Sequence, residues 1–289
     1  MPLPASKPGK DLKKMTGFIG GGNMAEALIK GIRAGGGAPR AGSTDIIVSE
    51  PTEQRRRYLE QTYGVHTTES NREAASRADV VVIAVKPQVI DQVLRDIADG
   101  MPGESEKSGE GGKLIVSIAA GIRLSYLTER LGTKNVVRAM PNTPALAGEG
   151  MTVLALCECI PDAGFSRVKD IFMSVGKVIV MPEKYMDAVT ALSGSGPAFY
   201  ALFIEAVAEG AAKAGLPEDV SLELALQTAL GTVRMLEEGI GTLKLRQMVT
   251  SPGGTTEAGL KVLEERGFKG VLYDTIEAAV RRAGELGKS

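Results

Sequence analysis

The stretch TGFIGGGNMAEAL, residues 16–28, constrains this chain more than any other. A short β-branched and aromatic run leads into Gly20, Gly22 and Ala25, spaced G-x-G-x-x-A, and an amphipathic stretch follows at once. In a strand–turn–helix unit the first glycine permits the tight turn. The second lets the backbone approach a pyrophosphate, and the third small residue lets helix and strand pack closely. The free N–H groups at such a helix start favour an anion. The motif predicts dinucleotide binding, provided that its surroundings alternate strand and helix.

They do. TGFIG, DIIVSE, VVVIAV, KLIVSIAA and NVVRAMP are short apolar runs of the kind buried on both faces of a parallel sheet, with helical stretches such as NMAEALIKGIRAG and PTEQRRRYLEQTYG between them. This pattern predicts an α/β Rossmann-type domain with a doubly wound, mostly parallel sheet over 15–182. Beyond Pro182 the β-branched runs vanish, and residues 183–289 read as an all-α dimerisation and substrate-binding domain. Within it AFYALFIEAVAEGAAKAG is apolar nearly all round, which argues for burial against a second copy of the chain. EERGFKGVLYDTIEAAVRRAGELGKS reads as a further helix, residues 1–14 as a disordered extension and residues 99–112 as a surface loop.

Charge and composition exclude several classes. The 289 residues carry 34 basic and 35 acidic side chains, so no basic field points to nucleic acid. No uninterrupted apolar run is long enough for a bilayer, and the expected location is cytoplasmic. Cys157 and Cys159 form a C-x-C pair without the partners that zinc needs, and read as strand residues. The only histidine, His66, reads as a polar residue at a strand end, and no metal site is expected.

The choice between the two nicotinamide cofactors rests on DIIVSEPTEQRRR. Ser49 and the run Arg55-Arg56-Arg57 suit a 2′-phosphate, whereas Glu50 suits a free ribose hydroxyl. Adjacent strand residues point to opposite sides, so Ser49 and Glu50 cannot both face the ribose. The balance favours NADPH, with NADH possible. The arginines read equally well as a solvated face of the next helix. Lys86, ahead of Pro87, reads as structural or phosphate-facing rather than as a catalytic acid. In ALSGSGPAFY, Pro197 and Ser195 suit a helix start, and Met140 suits a core filler.

Six strings, GFIGGGNMAEAL, AVKP, SIAAG, RAMPNTPA, SGSGPAF and MVTSPGGTTEAGLKVLEERG, together resemble the pyrroline-5-carboxylate reductase family, in matching order over residues 15–289. The resemblance implies reduction of the cyclic imine 1-pyrroline-5-carboxylate to L-proline, the last step of proline biosynthesis. It also implies a homo-oligomer, an interlocked dimer often assembled into a pentamer of dimers. The phosphate loop carries over to Gly20, Gly21, Gly22, Asn23 and Met24, and the adenosine end to Ser49 and Asn71. Ala84, Val85, Lys86, Pro87, Ala119, Ala120 and Gly121 carry over to the nicotinamide side. Asn142 matches a residue lining the pocket, and Ser251, Gly253, Gly254, Thr255 and Thr256 match the substrate loop. The extension, the 99–112 loop and Glu50 depart from the pattern, and Glu50 weakens the case for NADPH.

An imine with one carboxylate needs an anion cradle, a hydrogen-bond partner for nitrogen and a close nicotinamide, rather than a strong acid. Residues 251–256 meet those needs, with Thr256 as the hydrogen bond to the imine nitrogen; helix capping is the competing reading for Ser251, Thr255 and Thr256. Two alternatives are a hydroxyacid-type dehydrogenase of similar architecture and a non-catalytic dinucleotide-sensing protein. The first is weak, because Lys213, the only lysine on the long apolar helix, has no Asn one turn later.

Overall fold

A computed structural model describes residues 15–35, 45–100, 113–156, 160 and 162–287. Residues 1–14, Cys157 and Cys159, and most of the 99–112 segment lie outside them; Asp99 and Gly100 close a helix.

Eight strands form one sheet: β1 (Met15–Ile19), β2 (Asp45–Ser49), β3 (His66–Thr68), β4 (Val80–Ile83), β5 (Leu114–Ser117), β6 (Val136–Met140), β7 (Gly150–Leu156) and β8 (Gly176–Val180), in the order β3-β2-β1-β4-β5-β6-β7-β8. All neighbours run parallel except β6 and β7. The sequence reading names neither β7 nor β8 among its strand runs, although it takes Cys157, next to the end of β7, as a strand residue. β7 returns through a short 3-10 turn at Thr143–Ala147 instead of a crossover helix, so the strand–helix rhythm gives no warning of it.

The central strands are apolar because the sheet is covered there on both faces, whereas β3 (His66, Thr67 and Thr68) and β8 at its two edges are largely open. Phe18, Val48, Val82 and Val116 pack with α1 (Asn23–Arg33), α2 (Glu53–Tyr63) and α6 (Asp162–Met173) through Leu28, Ile29, Leu59, Val168 and Phe172. The alternate residues Ile19, Ile47, Val81, Ile83 and Ile115 meet α3 (Asn71–Arg77), α4 (Ile90–Asp99) and α5 (Leu124–Leu131). Successive strand residues point to opposite faces, so β1, β2, β4, β5 and β6 each serve both cores. Removing a fully buried side chain such as Phe172 to Ala costs about 3–5 kcal/mol. The order reverses between β1 and β4, and doubly wound sheets bind their ligands at such a switch point, outside the carboxyl ends of the strands.

The described chain divides into two compact units, the second being Ser195–Arg281. After α7 (Met186–Val189) and a π-helical turn at Thr190–Gly194 come α8 (Gly196–Lys213), α9 (Glu218–Glu237), α10 (Thr242–Val249), α11 (Thr255–Glu265) and α12 (Phe268–Leu286). α8 packs along α9. The stretch expected as one last helix is broken at Gly267, whose φ of 67° ends α11 before α12 begins. Tyr200 and Leu230 are 67% and 52% exposed, and Leu202, Phe203, Leu222, Leu226 and Val233 are exposed with them. The helical stretch Glu183–Lys213 is also long and apolar enough to cross a membrane by length and composition alone, which the search for uninterrupted apolar runs did not register.

Candidate functional site: the nucleotide edge and the threonine loop

The loops that follow β1, β2, β4, β5 and β6 share one edge of the sheet, because these five strands are neighbours and parallel. That edge brings together Gly20–Met24, Ser49, the segments 84–87 and 119–121, and Asn142. At Gly20 φ is 95°, and a Cβ there would stand 2.6 Å from the Ala84 carbonyl oxygen, so only glycine fits. Its N–H donates to the Ser49 carbonyl at 2.8 Å, joining the loop to β2. Gly22 occupies the N-cap of α1 with no side-chain cap, and a Cβ there would meet nothing within 4 Å. The first turn of α1 thus presents bare N–H groups to open space, and a dinucleotide pyrophosphate fits these residues.

A polar cluster holds this loop from behind. Arg55 Nε donates to the Gly21 carbonyl at 2.7 Å, and its guanidinium pairs with Glu26 in the first turn of α1. Tyr58 and Tyr63 donate their hydroxyls to Glu26 at 2.8 and 2.7 Å, and Arg55 lies 5.0 Å over the Tyr58 ring. Burial pushes the Glu26 carboxyl up, but the hydrogen bonds from Tyr63, Arg55 and Tyr58 outweigh it and leave the group below the usual carboxylate range. Burial, followed by the bond to Glu26, raises Tyr63. Sequence reasoning missed this clamp: Arg55 and Glu26 are 29 residues apart, and no spacing rule links them.

The end of β2 separates Ser49 from Glu50. Ser49 is 1% exposed, and its hydroxyl donates to Asn71 Oδ1 at 2.6 Å; Asn71 Nδ2 in turn donates to Asp96 at 2.9 Å. Ser49 and Asn71 therefore meet. Glu50 turns the other way, its two carboxylate oxygens accepting the N–H groups of Gly21 and Thr52 at 3.0 Å each. Only Arg57 of the arginine run is a solvated helix residue; Arg55 and Arg56 are largely covered.

β4 ends at Ile83, and exposed Lys86 caps a short 3-10 turn begun by Pro87. After β5, Ala119 is buried and Gly121 takes a φ of 79°. Asn142 is committed within the protein, its oxygen accepting the Met151 N–H at 2.9 Å and its Nδ2 donating to Ser193 at 3.2 Å. Arg138, buried in β6, pairs with Glu183 at 3.1 Å, while Glu183 also accepts the Leu124 N–H at 2.7 Å. This half-buried pair anchors the chain just before the apolar helices. Ser195 stands at the N-cap of α8 but its hydroxyl makes no capping bond. Lys213 is 81% exposed beside Glu209, far from the role a catalytic lysine requires.

In the second unit, residues 250–254 join α10 to α11. Gly253 has a φ of 70°, and its N–H donates to Glu257 at 2.7 Å. The N-cap of α11 is Gly254, with no side-chain cap, and Thr255 and Thr256 are the first two helical residues. Capping therefore does not account for the hydroxyls of Ser251, Thr255 and Thr256, and the first turn of α11 keeps free donors.

A doubly wound sheet with an open glycine loop, followed by apolar helices, defines a dinucleotide-dependent oxidoreductase. Comparisons with known proteins give the particular family. The model described as pyrroline-5-carboxylate reductase dimerisation matches residues 183–286, and that for NADP oxidoreductase coenzyme F420-dependent matches 15–121. A pyrroline-5-carboxylate reductase from Synechocystis sp. is 44% identical over 94% of this chain and 98% of its own. The structure of one from Coxiella burnetii is 38% identical, with a TM-score of 0.84 over 96% of this chain and 100% of the other. That of the Plasmodium falciparum pyrroline carboxylate reductase with NADP bound is 33% identical, with a TM-score of 0.81 over the same shares. The chain belongs to the pyrroline-5-carboxylate reductase family. It is an NAD(P)H-dependent oxidoreductase that reduces 1-pyrroline-5-carboxylate to proline, and it forms homo-oligomers.

Proposed function

We propose that residues 251–256 are the substrate cradle and that Thr256 donates the hydrogen bond to the ring nitrogen. The supporting observation is that α11 starts at a glycine N-cap, which leaves the threonine hydroxyls and first-turn N–H groups available. The first turn of α11 favours the substrate carboxylate, and Ser251 and Thr255 add donors, while the N–H groups of Gly253 and Gly254 hold the loop itself through Glu257 and the Ser251 carbonyl. Protonated imine already carries its proton, so the protein orients the ring and needs no acid of its own. The nicotinamide cofactor supplies the hydride to the C=N carbon.

Gly20, Gly21, Gly22, Asn23 and Met24 hold the pyrophosphate, and Ser49 with Asn71 holds the adenosine end of NADPH, with NADH also accepted. Ala84, Val85, Lys86, Pro87, Ala119, Ala120 and Gly121 flank the nicotinamide. Asn142 positions the exit of β6 through its bonds to Met151 and Ser193. Residues 15–182 serve as the nucleotide domain and 183–289 as the dimerisation and substrate domain. The exposed apolar helices suit an interlocked dimer, with a pentamer of dimers as the larger assembly, in the cytoplasm. Thr256→Ala tests the cradle. Turnover should fall about 10²–10³-fold, as when one transition-state donor is removed, with NADPH affinity within about threefold of wild type. A fully active Thr256→Ala enzyme would contradict the assignment.

A further inference from the structure

From the placement of Glu50 we infer that this side chain sets the cofactor specificity, disfavouring a 2′-phosphate and admitting NADH. The inference rests on the nucleotide site described above. Glu50 stands one residue past the end of β2, outside regular strand alternation, so its carboxylate lies on the phosphate-loop side while Ser49 faces Asn71. An acidic residue at this point of a Rossmann sheet accepts hydrogen bonds from a free 2′-hydroxyl. Its carboxylate does not point away into solvent. One oxygen accepts the Gly21 N–H and the other the Thr52 N–H, each at 3.0 Å, so the negative charge is held against the phosphate loop. Each oxygen keeps a second lone pair for a ribose hydroxyl.

The groups that would offset this charge for a phosphate are already engaged. Arg55 pairs with Glu26, Arg56 with Glu69 and Arg57 with Glu53, so each arginine of the run has a carboxylate partner. Arg56 also spends donors on the Glu50 and Pro51 carbonyls at 2.8 Å. The Ser49 hydroxyl gives its proton to Asn71, and Asn71 gives one of its own to Asp96. A 2′-phosphate carrying nearly two negative charges would face Glu50 while the two covered arginines of the run, Arg55 and Arg56, are held by other partners. Only Arg57, in an exposed pair with Glu53, is left of that run to offset it, and like charges brought together at a binding site are costly.

The test is isothermal titration of NADH and of NADPH into the full-length chain, wild type and Glu50→Gln, with kcat/KM ratios beside it. Glutamine keeps one acceptor for the Gly21 N–H and carries no charge, at the loss of the bond from the Thr52 N–H, and the NADH affinity, which does not depend on a 2′-phosphate, reports that loss separately. Wild type should bind the two cofactors within about tenfold of each other. The variant should move the affinity ratio toward NADPH by about tenfold, and any move of threefold or more in that direction upholds the assignment. A smaller move overturns it, including the case in which both affinities fall together. Wild type binding neither cofactor overturns the nucleotide site itself and this inference with it. Melting curves check folding, and Glu50→Ser carries the same test if the glutamine variant does not fold.

Discussion

Phe18, Ile46, Val82 and Phe172 in the sheet unit are withdrawn from solvent, while Tyr200, Leu202, Leu226, Leu230 and Tyr273 in the helical unit leave half or more of their surface open. Both units are rich in apolar side chains. The sheet unit sandwiches its apolar strands between two helical layers of the same chain, and each face has its own core. The helical unit has too few layers for that: among its described residues only Gly196, Ala208 and Ser221 are buried. A large contiguous apolar surface marks an interface, and here the interface is between copies of the chain. The nucleotide loop is thus a property of one chain, whereas the helices that carry the threonine loop are finished by assembly.

The contrast breaks most readily on α9, where Leu222, Leu226, Leu230 and Val233 recur every three or four residues on one exposed stripe. At a true surface, Leu226→Glu with Leu230→Glu would change stability within about 0.5 kcal/mol per site. At a packed interface each costs about 2 kcal/mol or more, so the double variant should weaken association about 10³-fold. Analytical ultracentrifugation checks this, and an undisturbed assembly would make the stripe a mere surface.

Gly20→Ala probes the other side of the comparison. The methyl would meet the Ala84 carbonyl oxygen at a φ of 95°, a strain of about 1–3 kcal/mol. Urea unfolding should show that loss, and NADPH affinity should fall, while the assembly mass stays unchanged. An effect on mass instead would mean that the two units are not separately built.

The smallest expected effect is on acid stability through Glu26. Its carboxyl is lowered when folded, so the folded chain takes up that proton later than the unfolded chain does. The contribution is complete above the ordinary carboxylate value and is lost as pH falls through the lowered one. Glu26→Gln should therefore flatten the acid limb of a pH–stability curve and leave pH 7–8 as the region of greatest difference from wild type. A variant that follows the wild-type curve throughout would remove Glu26 from the account.

Much of the nucleotide edge was legible because short-range chemistry dictates it: a tight turn needs Gly20, and buried parallel strands need β-branched runs on both faces. The helical region was legible in texture, since an all-round apolar helix has nowhere to go in a single chain. What escaped depends on pairs distant in sequence or on one local angle. Arg55 on Gly21 and Glu26, Arg138 on Glu183 and the direction of Glu50 are choices among partners that no spacing reveals. β7 hid behind a hairpin where a crossover was expected, and Gly267 broke a helix that its neighbours alone would have continued. At the threonine loop the residues were evident, with capping as the competing reading for their hydroxyls; Gly254 at the N-cap removes that competitor.

The most direct test of the central claim is light scattering on the eluting enzyme, with activity measured across the same fractions. Active protein should appear at a mass of at least two chains of 30.3 kDa each, with none at the mass of one. A fully active species at 30.3 kDa would show that the helical unit is complete by itself and would contradict the account.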